Sequence, residues 1–164
     1  MGFFDKAKNF LSGYGLKVEF TRLEKQDPQY VTFPVTDSVF KGNYKVTAEK
    51  DCIVLKHIHK LLLQRTNSNG ETNELELSTD IHDETTDIIG ADIKWPYPLK
   101  GNESKDDGFV LLNVDIPSAI TELGYPNIAQ AIDDPNLKLI CKVVADVKGS
   151  PFDPTAETVI KMVQ

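Results

Sequence analysis

Apolar and polar residues alternate with a period of two along most of this 164-residue chain. Such alternation places successive side chains on opposite faces of an extended strand. Turn residues separate the alternating segments, and the stretch 67–70, Asn-Ser-Asn-Gly, is typical of a hairpin. The pattern predicts about eight strands, which are to be found among nine candidate segments: residues 16–21, 30–35, 40–48, 52–66, 72–79, 88–93, 109–116, 137–149 and 157–163.

Two segments depart from this period and predict helices. In residues 1–13 the apolar side chains recur at helical spacing: Phe3, Phe4, Ala7, Phe10 and Leu11. Gly13 and Gly15 end this helix, because glycine commonly follows a helix C-terminus. Residues 117–134 predict one or two short helices divided at residues 124–126.

The predicted fold class is all-β. Each strand has one apolar face to bury. The sequence does not alternate strands with helices, which is the pattern that would indicate a parallel sheet. A two-sheet antiparallel sandwich of the immunoglobulin-like type meets this requirement, with a short N-terminal amphipathic helix and a small helical insertion. The predicted organisation is the helix in residues 1–13 and a single sandwich domain in residues 14–164.

The apolar face of the N-terminal helix leaves three alternatives open. The helix caps an open end or edge of its own sandwich, binds a partner's groove or a second copy of the chain, or lies on a membrane surface. Membrane association is disfavoured, because the polar face carries only Lys6 and Lys8, offset by Asp5, on an acidic protein.

The formal net charge of −7 argues against a nucleic-acid partner, since phosphates require a basic surface. Acidic residues are concentrated in residues 71–92, and no Lys or Arg occurs from Thr66 to Ile93. This acidic segment is either a solvated surface or a docking face for a basic partner.

Cys52 and Cys141 lie in strand-like apolar sequence and are too few for a disulfide framework. They are predicted to be buried free thiols in a reducing compartment, although the sequence also allows one bridge between them. No run of about 18 apolar residues marks a membrane span, and Asp5 interrupts the opening apolar stretch where a secretory signal would continue. The predicted location is the cytoplasm.

His57 and His59 form a His-x-His pair, which projects from one face of a strand as two zinc ligands would. His82 is the candidate third ligand. Strict alternation puts the pair on the same side of the strand as Leu61 and Leu63. A bulge near residues 55–57 would instead put Ile58, Lys60 and Leu62 in register with the apolar side. The prediction is that no metal is bound, because no third ligand is close in sequence; His57 and His59 are the candidates otherwise.

The sequence predicts neither an enzyme nor a cofactor. It lacks a Gly-x-Ser-x-Gly motif and a phosphate-binding glycine loop. Neither cysteine has a basic cluster nearby to lower its pKa. A cysteine–histidine pair or a glycosidase carboxylate pair would have to be assembled by the fold.

Trp95 and Tyr97 alternate with Pro96 and Pro98 in a predicted loop. Proline orders the backbone, so the two rings could be displayed for a protein or a sugar at low entropic cost. The alternative is that Trp95 closes one end of the sandwich core.

Three pieces of the sequence resemble the bacterial sporulation-control protein family, an arrestin-like group of β-sandwiches. They are the opening MGFFDKAKNFLSGYGLKVEFTRLEK, the strand pair FKGNYKVTAEKDCIVLKHIHKLLLQRT, and the ending ADVKGSPFDPTAETVIKMV with its Asp153-Pro154 turn. Members of that family usually carry two consecutive sandwiches, whereas this sequence has room for one. The resemblance implies an arrestin-like sandwich and a non-catalytic cytoplasmic adaptor or regulator.

The predicted function is a regulatory module that binds a protein partner. Its predicted contact residues are Phe3, Phe4, Phe10, Trp95, Tyr97 and the acidic segment 71–92. The alternative is a carbohydrate- or lipid-binding sandwich that uses Trp95 and Tyr97. Pairing of open edge strands also predicts a homodimer.

Overall fold

The computed structural model describes residues 15–25, 31–86 and 93–164. Within these ranges the chain forms nine strands and two short helices. Their bounds are β1 Leu16–Leu23, β2 Thr32–Pro34, β3 Phe40–Ala48, β4 Cys52–Thr66, β5 Thr72–His82, β6 Tyr97–Leu99, β7 Ser104–Leu111, α1 Ile116–Glu122, α2 Ile128–Asp133, β8 Leu137–Val147 and β9 Thr155–Val163. The predicted helix at 1–13 and most of the predicted strand at 88–93 lie outside the described residues.

The strands form two sheets, which confirms the predicted two-sheet architecture. One sheet has three strands in the order β1-β3-β7, and the other has the order β2-β9-β8-β4-β5 with β6 also paired to β4. One pair departs from the antiparallel prediction, because β2 runs parallel to β9. The three-residue β2 is not the hairpin partner of β9, so no tight turn fixes its direction, and Pro34 ends it at the sheet edge, where a missing N–H is tolerated.

The strand predicted at 109–116 is displaced towards the N-terminus and ends at Leu111. The cause is a helix start that the alternation concealed. Asp115 caps α1 by accepting a hydrogen bond from the backbone N–H of Ser118 at 3.0 Å, and Pro117 lies in the first turn. Both features favour a helix N-terminus over a continued strand.

The predicted helical segment is confirmed as α1 and α2, divided at Gly124 with a φ of +87°. This connection between β7 and β8 is held to the end of β4 by Arg65. The Arg65 guanidinium donates to the carbonyl of Leu123 at 2.7 Å and lies 4.5 Å from the centre of the Tyr125 ring. Among the described residues, no helix is both long and apolar enough to cross a membrane.

A β-bulge at Leu55 sets the direction of the side chains in β4. The pairing with β8 shifts between Val54 and Lys56, so Leu55 is an extra residue. Val54 points inward, so regular alternation would send the even-numbered positions after it into the core. The extra residue shifts this alternation by one, and the odd-numbered positions point inward instead. These are His57, His59, Leu61 and Leu63, each 0% exposed. A bulge here has the opposite effect from the one expected, since it brings the histidines inward rather than Ile58.

The core draws on the inner faces of both sheets. Its largest fully buried side chains include Tyr44 and Phe40 from the three-stranded sheet and Leu61 and Leu139 from the larger one. Both cysteines are free thiols: Cys141 is buried and Cys52 is half-buried. Cys141 therefore agrees with the prediction of a buried free thiol, whereas Cys52 is free but only partly buried.

Candidate functional site

Neighbouring strands β4 and β5 place four polar side chains in a square on the inner face of the larger sheet. In the β4–β5 register His57 is opposite His82, and His59 is opposite Asp80. Residues two apart on a strand share a face, so all four side chains point between the sheets. Both β4 histidines are fully buried and His82 is 8% exposed.

Asp107 completes this cluster from β7 of the opposite sheet. Its Oδ2 atom accepts hydrogen bonds from the Tyr44 hydroxyl at 2.8 Å, His57 Nδ1 at 2.9 Å and His82 Nδ1 at 3.0 Å. Tyr44, on β3 beside β7, also lies 2.7 Å from His59 Nε2. We call Tyr44, His57, His59, Asp80, His82 and Asp107 the histidine–aspartate cluster.

Trp95 and Tyr97 contact this cluster from one side. The Tyr97 hydroxyl lies 2.6 Å from His57 Nε2, and the Trp95 ring lies edge-on to the His57 ring at 4.6 Å between centres. Tyr97 is 4% exposed and belongs to β6 rather than to a loop. The expected display of both rings therefore fails for Tyr97, because its hydroxyl pairs with a buried imidazole; Trp95 is half-buried.

Burial and charge oppose one another in the pKa values of the cluster. Burial alone would raise the pKa of Asp107, but the hydrogen bonds from His57 and His82 hold that pKa far below its usual value. Burial lowers the pKa of His57 and of His59, and the nearby carboxylates offset only part of that effect. Asp107 is therefore a carboxylate at neutral pH, while His57 and His59 are neutral.

His82 differs from the other two histidines because it lies between two carboxylates. Its Nε2 atom is 3.1 Å from Asp80 Oδ2, and its Nδ1 atom contacts Asp107. Burial opposes the charged ring, but Asp107 and Asp80 outweigh it and raise the pKa of His82. The neighbouring His59 and His82 rings lower the pKa of Asp80, although its partial burial opposes the shift.

Two sets of three ligand atoms in the described residues are close enough to share a metal ion. One is His57, His59 and Asp107, and the other is His59, Asp80 and His82; the atoms of each set lie within 4.8 Å of one another. The fold thus brings together all three histidines that the sequence analysis singled out, and adds Asp80 and Asp107.

Tyr44 and Asp107 are the members that sequence reasoning missed. The alternation in residues 40–48 places Tyr44 on the apolar face of its strand, and Asp107 precedes the predicted strand at 109–116. The available signal was the alternation of Asp107, Phe109 and Leu111, which places a carboxylate on an apolar face. Phe3, Phe4 and Phe10 lie outside the described residues, so their predicted partner contacts stay predictions.

Part of the acidic segment forms a sheet edge. β5 is the last strand of the larger sheet and carries three exposed or half-exposed acids, Glu74, Glu76 and Asp80. Glu71, Asp83 and Glu84 flank it at the two ends. Within the described residues, no strand pairs with the outer side of β5.

The fold and the cluster together define the protein as a two-sheet β-sandwich with a buried polar centre. No protein-family model and no curated protein matches the sequence. Among solved structures the chain is similar to Spo0M, a sporulation control protein from Bacillus subtilis, with a TM-score of 0.60 and 10% identity. The match covers 92% of this chain and 50% of that one, so the chain spans about half the length of Spo0M.

This likeness indicates a distant structural relationship in fold, and no sequence match extends it to membership of the sporulation-control family. A second similar structure is a beta-glucosidase from Listeria innocua in complex with gluconolactone, at 11% identity and covering 88% of this chain and 16% of that one. Its TM-score is 0.34, which is too low to carry an argument.

Proposed function

We propose that the protein is a non-catalytic, arrestin-like regulatory module that acts by binding another protein. The two-sheet architecture and the structural similarity to a sporulation control protein support a regulatory role. The burial of the reactive side chains supports a non-catalytic one: His57 and His59 are enclosed, and burial raises the pKa of the Cys141 thiol. The two free thiols support a reducing, cytoplasmic location.

The open edge of β5 is the observation that carries this proposal. Its 11 residues end the larger sheet, and within the described part of the chain no strand covers its outer side. An edge of this length offers backbone N–H and C=O groups to an extended partner segment, which adds as a further strand.

The charge of this edge selects the chemistry of the partner. β5 itself contains no Lys or Arg, and one neighbouring cation, Lys60 of β4, is engaged by Glu76 at 2.8 Å. The proposed partner is therefore a basic, extended polypeptide segment. Opposite charge acts mainly on the association rate and on partner choice, and it weakens as salt is added.

Site-specific photo-crosslinking tests the proposed edge. A crosslinking residue at Asn73, which is exposed on β5, is compared with one at Glu49, which is exposed in the β3–β4 turn. We expect a partner to be captured from position 73 and not from position 49, with a yield that falls as ionic strength rises. Equal partner sets from both positions would contradict the proposal.

Charge reversal supplies the matched variants. Glu74→Lys changes the charge of the β5 edge, whereas Glu49→Lys makes the same change in net charge on a distant turn. We expect the first to slow association and the second to leave the rate unchanged. Light scattering identifies the outcome in which the strand on β5 comes from a second copy of the chain.

The predicted contribution of Phe3, Phe4 and Phe10 is tested separately. Deletion of residues 1–12 removes no residue of a described strand. We expect the deletion to reduce partner capture from position 73. An unchanged partner set after deletion would remove the N-terminal segment from the proposed contact surface and leave the β5 edge as the sole proposed site.

A further inference from the structure

At one corner of the histidine–aspartate cluster, three potential metal-ligand atoms lie close to one another. His59 Nδ1 is fully buried and has no hydrogen-bond partner among the described residues. It lies 3.4 Å from Asp80 Oδ2, and the same oxygen lies 3.1 Å from His82 Nε2. An unpaired buried nitrogen is costly, so its position next to a carboxylate requires an explanation.

In each of the two rings, the hydrogen bond made by the nitrogen that faces away from Asp80 determines which nitrogen carries the proton. His82 Nδ1 faces the Asp107 carboxylate at 3.0 Å and must donate, which leaves Nε2 of the neutral ring as a bare acceptor. The Tyr44 hydroxyl donates to the same carboxylate, so His59 Nε2, 2.7 Å from the Tyr44 oxygen, donates to that oxygen. His59 Nδ1 is then also bare.

We propose that His59 Nδ1, Asp80 Oδ2 and His82 Nε2 bind a divalent transition-metal ion of the zinc type. Two imidazoles and one carboxylate with an open fourth position form a common zinc ligand set. Ligand atoms at about 2.0–2.1 Å from a tetrahedral ion lie about 3.3 Å from each other. The two separations to Asp80 Oδ2, 3.4 and 3.1 Å, bracket that value.

The surrounding residues provide the outer support that zinc ligands need. Each ligating ring gives its second N–H to a fixed acceptor, Tyr44 for His59 and Asp107 for His82. Such partners orient a ligating imidazole and make it a better donor to the metal. The Asp80 side chain is 32% exposed, which gives an ion and a water ligand a route from solvent.

Charge also favours a cation at this position. Two carboxylates, Asp80 and Asp107, face the three imidazoles of the cluster. A divalent ion balances the charge of both.

The second set of possible ligands is excluded by its own hydrogen bonds. His57 Nδ1 and Asp107 Oδ2 contact each other at 2.9 Å and both contact the Tyr44 hydroxyl. His59 Nε2 is paired with the same hydroxyl. An ion there would displace these four contacts. An ion between His59, Asp80 and His82 would displace no hydrogen bond of His59 Nδ1, because that atom has none.

Zinc titration of the full chain, freed of metal with EDTA, tests the site. We expect calorimetry to give one Zn²⁺ per chain, a raised melting temperature, and the visible absorption of four-coordinate Co²⁺ when cobalt is used instead. Asp80→Asn keeps the shape but removes the charged ligand, and it should weaken Zn²⁺ binding by about 100-fold or more, beyond the effect of an outer-shell change.

Asp83→Asn is the matched control, because Asp83 lies in the same acidic segment but its carboxylate is engaged by Thr85 outside the ligand set. We expect it to bind Zn²⁺ like the wild type. Equal affinity in the wild type and Asp80→Asn would overturn the proposal, and so would equal losses in both variants.

Imidazole ¹⁵N spectra of the wild-type protein provide a test that needs no variant. Saturating Zn²⁺ should shift His59 Nδ1 and His82 Nε2 and leave both His57 nitrogens unchanged. A proton that persists on His82 Nε2 at saturating Zn²⁺ would show that His82 is an imidazolium, and the metal site would be rejected.

Discussion

The two halves of the inner face of β4 differ in how they are stabilised. Towards its start the strand presents His57 and His59, and towards its end it presents Leu61 and Leu63, all fully buried. The leucine half gains stability from apolar area and packing, which tolerate a change of shape at constant volume. The histidine half depends on a complete set of hydrogen bonds, so each missing partner leaves a buried polar group unpaired.

The same division continues into the neighbouring strands. β5 changes from half-buried Leu75 and Leu77 to Asp80 and His82 across a bulge, where the register with β4 shifts. β7 changes in the opposite sense, from Asp107 to Phe109 and Leu111. The interior is therefore one continuous core, in which we call the part around His57 and His59 the polar end of this stretch of β4 and the part around Leu61 and Leu63 its apolar end.

The largest effect is expected at the polar end. Asp107→Ala removes the common acceptor of three buried donors and should destabilise the metal-free protein by about 4 kcal/mol. Urea unfolding measures the loss. Asp106→Ala, at the adjacent exposed position, is the control and should change stability by less than about 0.5 kcal/mol. Similar losses in the two variants would show that Asp107 does not organise the cluster.

A truncation at the apolar end should cost less. Leu63→Ala leaves a cavity beside Leu139, its register partner on β8, and should destabilise the protein by about 3 kcal/mol. The denaturant midpoint should fall without a change in slope, because the remaining core still unfolds as one unit. A loss larger than that of Asp107→Ala would reverse the comparison between the two ends.

The boundary between the ends is sensitive to added volume. A Cβ atom at Gly42 would lie 2.6 Å from Phe109 Cζ and 2.7 Å from Leu23 Cδ2. Gly42→Ala should therefore overpack the core and cost about 2 kcal/mol. Gly101→Ala, whose nearest heavy atom would be 3.4 Å away, is the control in thermal unfolding. Equal melting temperatures for both variants would count against a tightly packed boundary.

The smallest effects are expected from substitutions that nearly preserve the size of the side chain, one at each end of the core. Leu63→Met should cost about 1 kcal/mol, because the apolar end can repack. Tyr97→Phe removes only the hydroxyl that pairs with His57 Nε2, yet should cost about 1.5 kcal/mol through the unpaired imidazole. Parallel urea titrations compare the losses in free energy of unfolding. A larger loss for Leu63→Met than for Tyr97→Phe would contradict the claim that the apolar end tolerates a change of shape better than the polar end.

Much of the fold was predictable because alternation depends on local sequence. The long strand β4, the closing strands β8 and β9, and the helical connection all follow from period and turn residues. The start of α1 was missed, since Asp115 and Pro117 interrupt a pattern that continues to look like a strand.

The site was predictable only in part. A shared face for His57 and His59 follows from their spacing, but their direction depends on an unpaired residue at Leu55 that alternation does not show. Asp107 and Tyr44 join them because the second sheet packs opposite, and a single sequence holds no signal for the registration of two sheets.

The extra residue at Leu55 has a consequence for how such sites arise and disappear. In a regular strand that kept Leu55 but lost the bulge, Val54 would still point inward, while His57 and His59 would face water and Ile58 and Lys60 would turn inside. Deletion of Leu55 would instead leave both histidines inside, because the alternation that starts at Val54 would then run without interruption. The interior position of the imidazoles therefore depends on a backbone irregularity rather than on the residues of the motif. Two relatives with the same motif, one with the bulge and one without it, would differ in the chemistry of their interiors.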